Sequence, residues 1–375
     1  MQRVLGPIAL GNASRSWSYL KARLYGSITD SLYSSAAAGA ALPWYWQIGK
    51  VVSKRETKQK SETKEAKRMA TGFYTHSDCL LHDAGAGHPE CAARLEAIED
   101  HLITSRIDVA LSRETAPLAN FEDLERALEP GHLRALQQQM PTQGHRELDA
   151  DTYVCPHSWH AALRAAGAAV AATDAVLDGR LDNAFCSVRP PGHHASREQV
   201  GGFCLFNNVA VAALHALEAR GLERVAIIDF DVHHGNGTES IFAGDPRVLM
   251  CGIFEHPFYP HTGTPPLADN MVNVPLPPYS DGAALRDAVE RVWLPRLHAF
   301  APEMIFISAG FDAHREDDMS HLLFTEADYA WVTQQVCDVA TRWATGRIVS
   351  CLEGGYDLSS LGRSVVAHLR VLADL

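Results

Sequence analysis

Residues 225–237 read VAIIDFDVHHGNG, four apolar residues that run without a break into acids, imidazoles and glycines. A strand with one wet face alternates apolar and polar residues, whereas a strand covered on both faces does not. Val225–Ile228 therefore predicts a buried strand of a parallel sheet. Four more runs share this character: Ala184–Val188, Val248–Ile253, Met304–Ser308 and Arg347–Leu352. Helical patterns lie between them at Ser158–Leu177, Asn207–Arg220 and Ala327–Trp343, the second closed by Gly221. Strand and helix alternate over about 200 residues, which predicts an α/β chain built on a doubly wound parallel sheet.

Polar residues cluster at one end of these strands. Ala184–Val188 is followed by RPPGHHA, Val225–Ile228 by DFDVHHGNG, Met304–Ser308 by AGFDAH and Arg347–Leu352 by EGGYD. Ligands of open α/β sheets bind outside the carboxyl ends of the strands. The four ends deliver His193, His194, Asp229, Asp231, His233, Asp312 and Tyr356 to one rim.

Composition bounds the rest. Of 375 residues, 46% are hydrophobic and 21% charged, a balance that buries a large core and excludes wholesale disorder. The net charge of -12 argues against direct nucleic-acid binding, which needs a Lys/Arg surplus. That charge is unevenly spread: residues 1–68 carry 12 Lys/Arg against four acids, and all 19 histidines and eight cysteines follow them. The chain thus divides into a basic extension, 1–68, and a chemistry-bearing domain, 69–375. The extension reads as a leader of organellar-transit composition, as a charged linker (KRETKQKSETKEAKR, 54–68), or as an upstream extension ending where Met69 begins the domain. Pro43, Gln47 and Lys50 cut its apolar stretch short of a spanning helix, so no membrane span is expected. The cysteines form no CxxC pair, and three of them lie in apolar runs, which points to a reducing, cytoplasmic setting unless the extension directs the chain to an organelle.

Asp231 and His233, at i and i+2 where a strand gives way to a loop, can face one side, and Asp312 occupies the matching place after another strand. One imidazole and two carboxylates without a thiolate suit Zn²⁺, Fe²⁺, Mn²⁺ or Co²⁺, with room left for water and substrate. Capping of the following helices would explain the two aspartates but not His233. His193 and His194 follow the rigid turn Pro190-Pro191-Gly192 and titrate near neutrality, as proton transfer to and from an activated water requires. Asp229 and Asn236 are available as partners for their second nitrogens. Tyr356, after two glycines, presents a phenol that can donate to a developing oxyanion. Gly201-Gly202-Phe203 reads as a close-approach loop with an aromatic wall. Together these groups describe metal-assisted amide hydrolysis.

The stretches HPECAARLEAI, RPPGHHA, GGFCLFNNVAVAA, VAIIDFDVHHGNGTESIF, PHTGT, ISAGFDAH and LEGGYDL resemble, in this order, the zinc-dependent histone deacetylase family, which includes the acetylpolyamine amidohydrolases. The resemblance spans about residues 72–375. It implies the arginase/deacetylase fold, with a parallel sheet of about eight strands in a single catalytic domain. It implies Zn²⁺ on Asp231, His233 and Asp312, His194 as general base and acid, and His193 with Asp229 as its electrostatic partner. It implies further that Tyr356 polarises the scissile carbonyl, that Phe203 and Tyr259 wall the acyl-lysine channel, and that the Gly202 carbonyl meets the substrate amide. A potassium ion near Asp229, Asp231 and His233 belongs to the same pattern, although Gly252 stands where a Ser often contributes. Asn236 replaces the Asp of some members, as in the class II pattern. Met319 takes a gating position at which similar polyamine-selective enzymes carry Glu, which favours acetyl-lysine of proteins or peptides over small acetylated amines. A metal-retaining acyl-lysine reader would need no oxyanion donor, and an arginase-type two-metal site would need further aspartates.

Overall fold

The computed structural model describes residues 70–375. The leader, linker and extension readings of residues 1–68, with their boundary at Met69, lie outside the described residues. Among the described residues there are ten strands: β1 (Ala70–Thr75), β2 (Leu111–Thr115), β3 (Arg146–Glu147), β4 (Tyr153–Val154), β5 (Leu181–Cys186), β6 (Val225–Asp229), β7 (Val248–Glu255), β8 (Met271–Leu276), β9 (Met304–Ala309) and β10 (Ile348–Leu352). β3 and β4 form a small antiparallel hairpin. The other eight make one sheet in the order β2-β1-β5-β10-β9-β6-β7-β8, and every pair in it is parallel.

The central strands are mostly apolar because helices cover both faces; every residue of β6, β7, β9 and β10 is buried, the polar Asp229, Glu255, Ser308 and Ser350 included. The helix Ser158–Leu177 owes its close seat to alanine, and 15 of its residues are buried. The helix Glu326–Trp343 starts in a capping box between Thr325 and Asp328, which satisfies amides that have no partner within the helix. Asp357 caps the helix Leu358–Leu372 by accepting the Ser360 amide. Among the described residues no helix is long and apolar enough to cross a membrane.

Two expected elements differ in detail. β5 begins at Leu181 and ends at Cys186, not Ala184–Val188, because Leu181 pairs with Ala70 and Asn183 with Ile348, the buried Asn183 amide being satisfied by the Leu372 carbonyl (2.8 Å). The Asn207–Arg220 helix runs as α over Asn208–Leu214 and widens to a π turn over His215–Ala219, where the His215 ring reaches Asp123 (3.1 Å) and Asp174 (2.9 Å).

Candidate active site

β5, β10, β9 and β6 are consecutive neighbours at the centre of the sheet, and their carboxyl ends carry the four polar stretches. Asp231 and His233 follow β6 and Asp312 follows β9. One donor atom from each of the three lies within 4.8 Å of the others. His233 Nδ1 is 3.1 Å from Asp231 Oδ1 and 3.3 Å from Asp312 Oδ2. The outer contacts aim the carboxylates. Asp231 Oδ2 accepts the Gly354 amide (2.8 Å) and Asp312 Oδ1 the Val232 amide (2.9 Å). Gly310 and Gly354 are required here, since a Cβ on either would stand 2.0 Å from a carboxylate oxygen of Asp231 or Asp312.

This cluster fits a divalent cation. Asp312 Oδ2 is buried without a hydrogen-bond partner among the described residues. Burial and the Asp231 charge push the Asp312 carboxyl up to about 6. Burial works against charge on His233, yet Asp231 and Asp312 outweigh it and push that ring up to about 10. Buried carboxylates without a compensating cation are costly; a metal ion supplies the positive charge that the two carboxylates otherwise draw onto imidazole.

The turn after β5 holds the imidazole pair, with ring centroids 4.0 Å apart. His193 Nδ1 meets Asp229 Oδ2 at 3.0 Å and His194 Nδ1 meets Asn236 Oδ1 at 2.7 Å. Burial disfavours the His193 cation, but the carboxylates of Asp231 and Asp229 hold it well above the ordinary imidazole value. His194 goes the other way: burial, then the neighbouring rings of His193 and His233, push it well below. Tyr356 lies across from the pair; burial and the Asp312 charge hold its phenol well above its ordinary value, so it keeps its proton. His234, by contrast, turns away to Thr262 (2.8 Å) and Glu239 (3.2 Å) and is no part of the cluster.

A cavity of about 280 Å³ reaches these groups, lined by His194, His233 and Tyr356 at the chemical end and by Gly202, Phe203, Tyr259 and Met319 along its walls. Phe203 is 5.9 Å from Tyr356, and Tyr259 is 5.2 Å from His194. The Gly202 carbonyl receives Cys204 Sγ at 3.2 Å, and its amide donates to Asp151 Oδ1 at 3.1 Å. Gly252 pairs with Asp229 across β6 and β7 and has no side chain to offer a monovalent ion.

Four groups here were not read from the sequence. Asp151 and Phe258 also line the cavity, and Phe258 stacks on His233 at 5.6 Å. Glu353, fully buried, accepts the amides of Gly192 (2.6 Å) and His193 (3.1 Å) and so fixes the imidazole turn from β10. The buried pair Glu90–Arg189, at 2.7 Å between Oε2 and a terminal guanidinium nitrogen, anchors the same turn from its other side. Glu353 had a legible signal, because it stands at a strand end like Tyr356; Asp151 and Phe258 come from loops that carry no such mark.

A central parallel sheet whose strand ends gather N/O metal donors, an imidazole pair and a phenol at the foot of a narrow cavity defines a hydrolase of the arginase/deacetylase fold. The chain belongs to the histone deacetylase family: the family model described as Histone deacetylase domain matches residues 88–372. It is 38% identical over 312 residues to the uncharacterized protein slr0245 of Synechocystis, covering 79% of this chain and 97% of that one. It is 37% identical over 326 residues to the polyamine deacetylase HDAC10 of Mus musculus, covering 81% of this chain and 48% of that protein. The crystal structure of the HDA15 HD domain superposes with a TM-score of 0.75 at 34% identity, covering 82% of this chain and 90% of that one.

Proposed function

We propose that the protein removes acetyl groups from lysine side chains of proteins or peptides with a zinc ion held by Asp231, His233 and Asp312. The observation that supports this reading is the cavity: a mostly apolar passage past Phe203, Tyr259 and Met319 suits an aliphatic chain, and a carbonyl that reached its inner end would meet His194, His233 and Tyr356. When bound, the ion polarises that carbonyl and lowers the pKa of water so that it can attack at neutral pH. His194, uncharged, accepts the proton of the attacking water through Nε2 and returns it to the leaving amine. His193, kept cationic by Asp229, holds positive charge beside the forming oxyanion, and Tyr356 donates its hydroxyl to that oxygen. Potassium near Asp229, Asp231, His233 and Gly252 rests on the family resemblance alone and takes no part in these steps.

A second reading is deacetylation of acetylpolyamines or other small acetylated amines. It is favoured by Asp151, whose carboxylate lines the cavity and can meet a second ammonium. Met319 opposes it by offering no charge at the gate. Comparing kcat/KM for an acetyl-lysine peptide and for acetylspermidine decides between them. A preference of tenfold or more for acetylspermidine overturns the lysine reading.

Metal analysis of the purified chain should give one zinc per molecule, lost in Asp312→Ala. A stoichiometry near two, or zinc retained by that variant, refutes the ligand set.

The partner of His194 makes a pH prediction. Asn236 is a dipole without charge, so the His194 cation gains little from it, and burial keeps the ring low. In Asn236→Asp a carboxylate faces Nδ1 and stabilises the imidazolium, which raises the pKa of the base. The base then becomes neutral only at higher pH, so the acidic limb of the kcat/KM profile should move up. Coupling among the rings makes that limb a macroscopic quantity, and its direction is the test. A limb that stays put or moves down, with zinc content unchanged, means that His194 is not the base.

A further inference from the structure

We propose that Asp317 is a positioning residue that sets the phenol of Tyr356 against the channel gate at Met319. The residue is 4% exposed, and its carboxylate makes no ion pair among the described residues. It accepts three backbone amides instead: Tyr356 at 2.6 Å and Asp357 at 3.0 Å on Oδ2, and Met319 at 3.0 Å on Oδ1. Two of those amides belong to residues whose side chains line the cavity on different loops, one after β10 and one after β9. The Tyr356 amide lies beyond the end of β10 and finds no ladder partner there. Gly355 before it takes φ +121°, a conformation that leaves the direction of the next residue to its external bonds. One charged acceptor bonded to both loops fixes the distance between phenol and gate. A buried carboxylate is costly unless fully bonded, and here two of its three bonds go to the main chain of residues that line the cavity.

The inference rests on the deacetylase reading and on the role given to Tyr356. In Asp317→Asn the amide keeps one oxygen, but its NH₂ group confronts an N–H donor, so at least one loop is released. Misplacing a reacting group by about 1 Å costs on the order of 10²-fold in rate. The expected result with an acetyl-lysine peptide is a loss of about 10- to 100-fold in kcat, with zinc content unchanged. Adding Asp317→Asn to Tyr356→Phe should cost less than about threefold further, because the group it places is gone. A residue that only supports the fold would multiply the two losses. Multiplied losses, or a single variant within threefold of wild type, overturn the proposal. If Tyr356→Phe alone loses nothing, the reading of the site falls and the placing role with it. Should the asparagine variant fail to fold, the same cycle with Asp317→Ser, which keeps one acceptor oxygen, gives the answer by the same criterion.

Discussion

Replacing His194 by alanine is expected to lower kcat on an acetyl-lysine peptide by about 10²–10⁴, the contribution usual for a positioned general acid and base, while zinc content stays the same. The size follows from the double use proposed for this ring, to accept the proton of the attacking water and to return it to the amine that leaves. Its environment prepares both steps. With Asn236 Oδ1 accepting at 2.7 Å, Nδ1 carries the hydrogen and Nε2 turns its lone pair to the cavity. Burial and the neighbouring ring of His193 keep it uncharged at neutral pH. His193 cannot take over, because Asp229 and Asp231 hold it as a cation. A His194→Ala variant within tenfold of wild type would place the base elsewhere, with His193 the first residue to examine.

The parts of this arrangement that could be read from the sequence share one physical origin. Central strands of a covered parallel sheet are continuous apolar runs, so β6, β7, β9 and β10 stand out, and the polar residues that follow mark the rim. The structure sets β5, β10, β9 and β6 side by side, which brings His193, His194, Tyr356, Asp312, Asp231 and His233 together from positions more than 160 residues apart.

What escaped the reading has equally definite causes. β2 and β8 are the two edges of the sheet; β2 alternates in burial, and β8 contains Pro275, tolerated at an edge where one side of the ladder is unpaired. β1 opens at Ala70 with no strong apolar run. Of the three buried acids Glu353, Asp317 and Glu90, Glu353 is marked in the sequence only by its place at a strand end, and the others are indistinguishable there from solvated ones. Two of them bond to main-chain amides, which every residue possesses, and the third pairs with Arg189 across 99 positions. Such contacts exist only once the sheet has fixed its strand order.

Tyr356→Phe is the second large effect. Loss of one oxyanion donor typically costs about 10²–10³ in rate, and that loss should appear in kcat with little change in substrate binding. The hydroxyl makes its strongest contact only as charge develops on the acyl oxygen, so its removal raises the barrier more than it weakens the ground state. The phenol is suited to donate and not to ionise: burial, reinforced by the carboxylates of Asp312 and Asp231, outweighs the opposing pull of Arg94 and keeps its proton in place. Arg94 lies over the ring at 4.9 Å and donates Nε to the Gly355 carbonyl at 2.6 Å, so the ring has a fixed seat that phenylalanine can occupy. The packing change is small, and the measured loss reports the missing hydroxyl. Steady-state turnover of the acetyl-lysine peptide, with affinity for the same peptide measured separately, separates the two contributions. A kcat within threefold of wild type, or a loss confined to binding, removes Tyr356 from the oxyanion site and leaves the proposed stabilisation of the forming oxyanion to His193 and the metal.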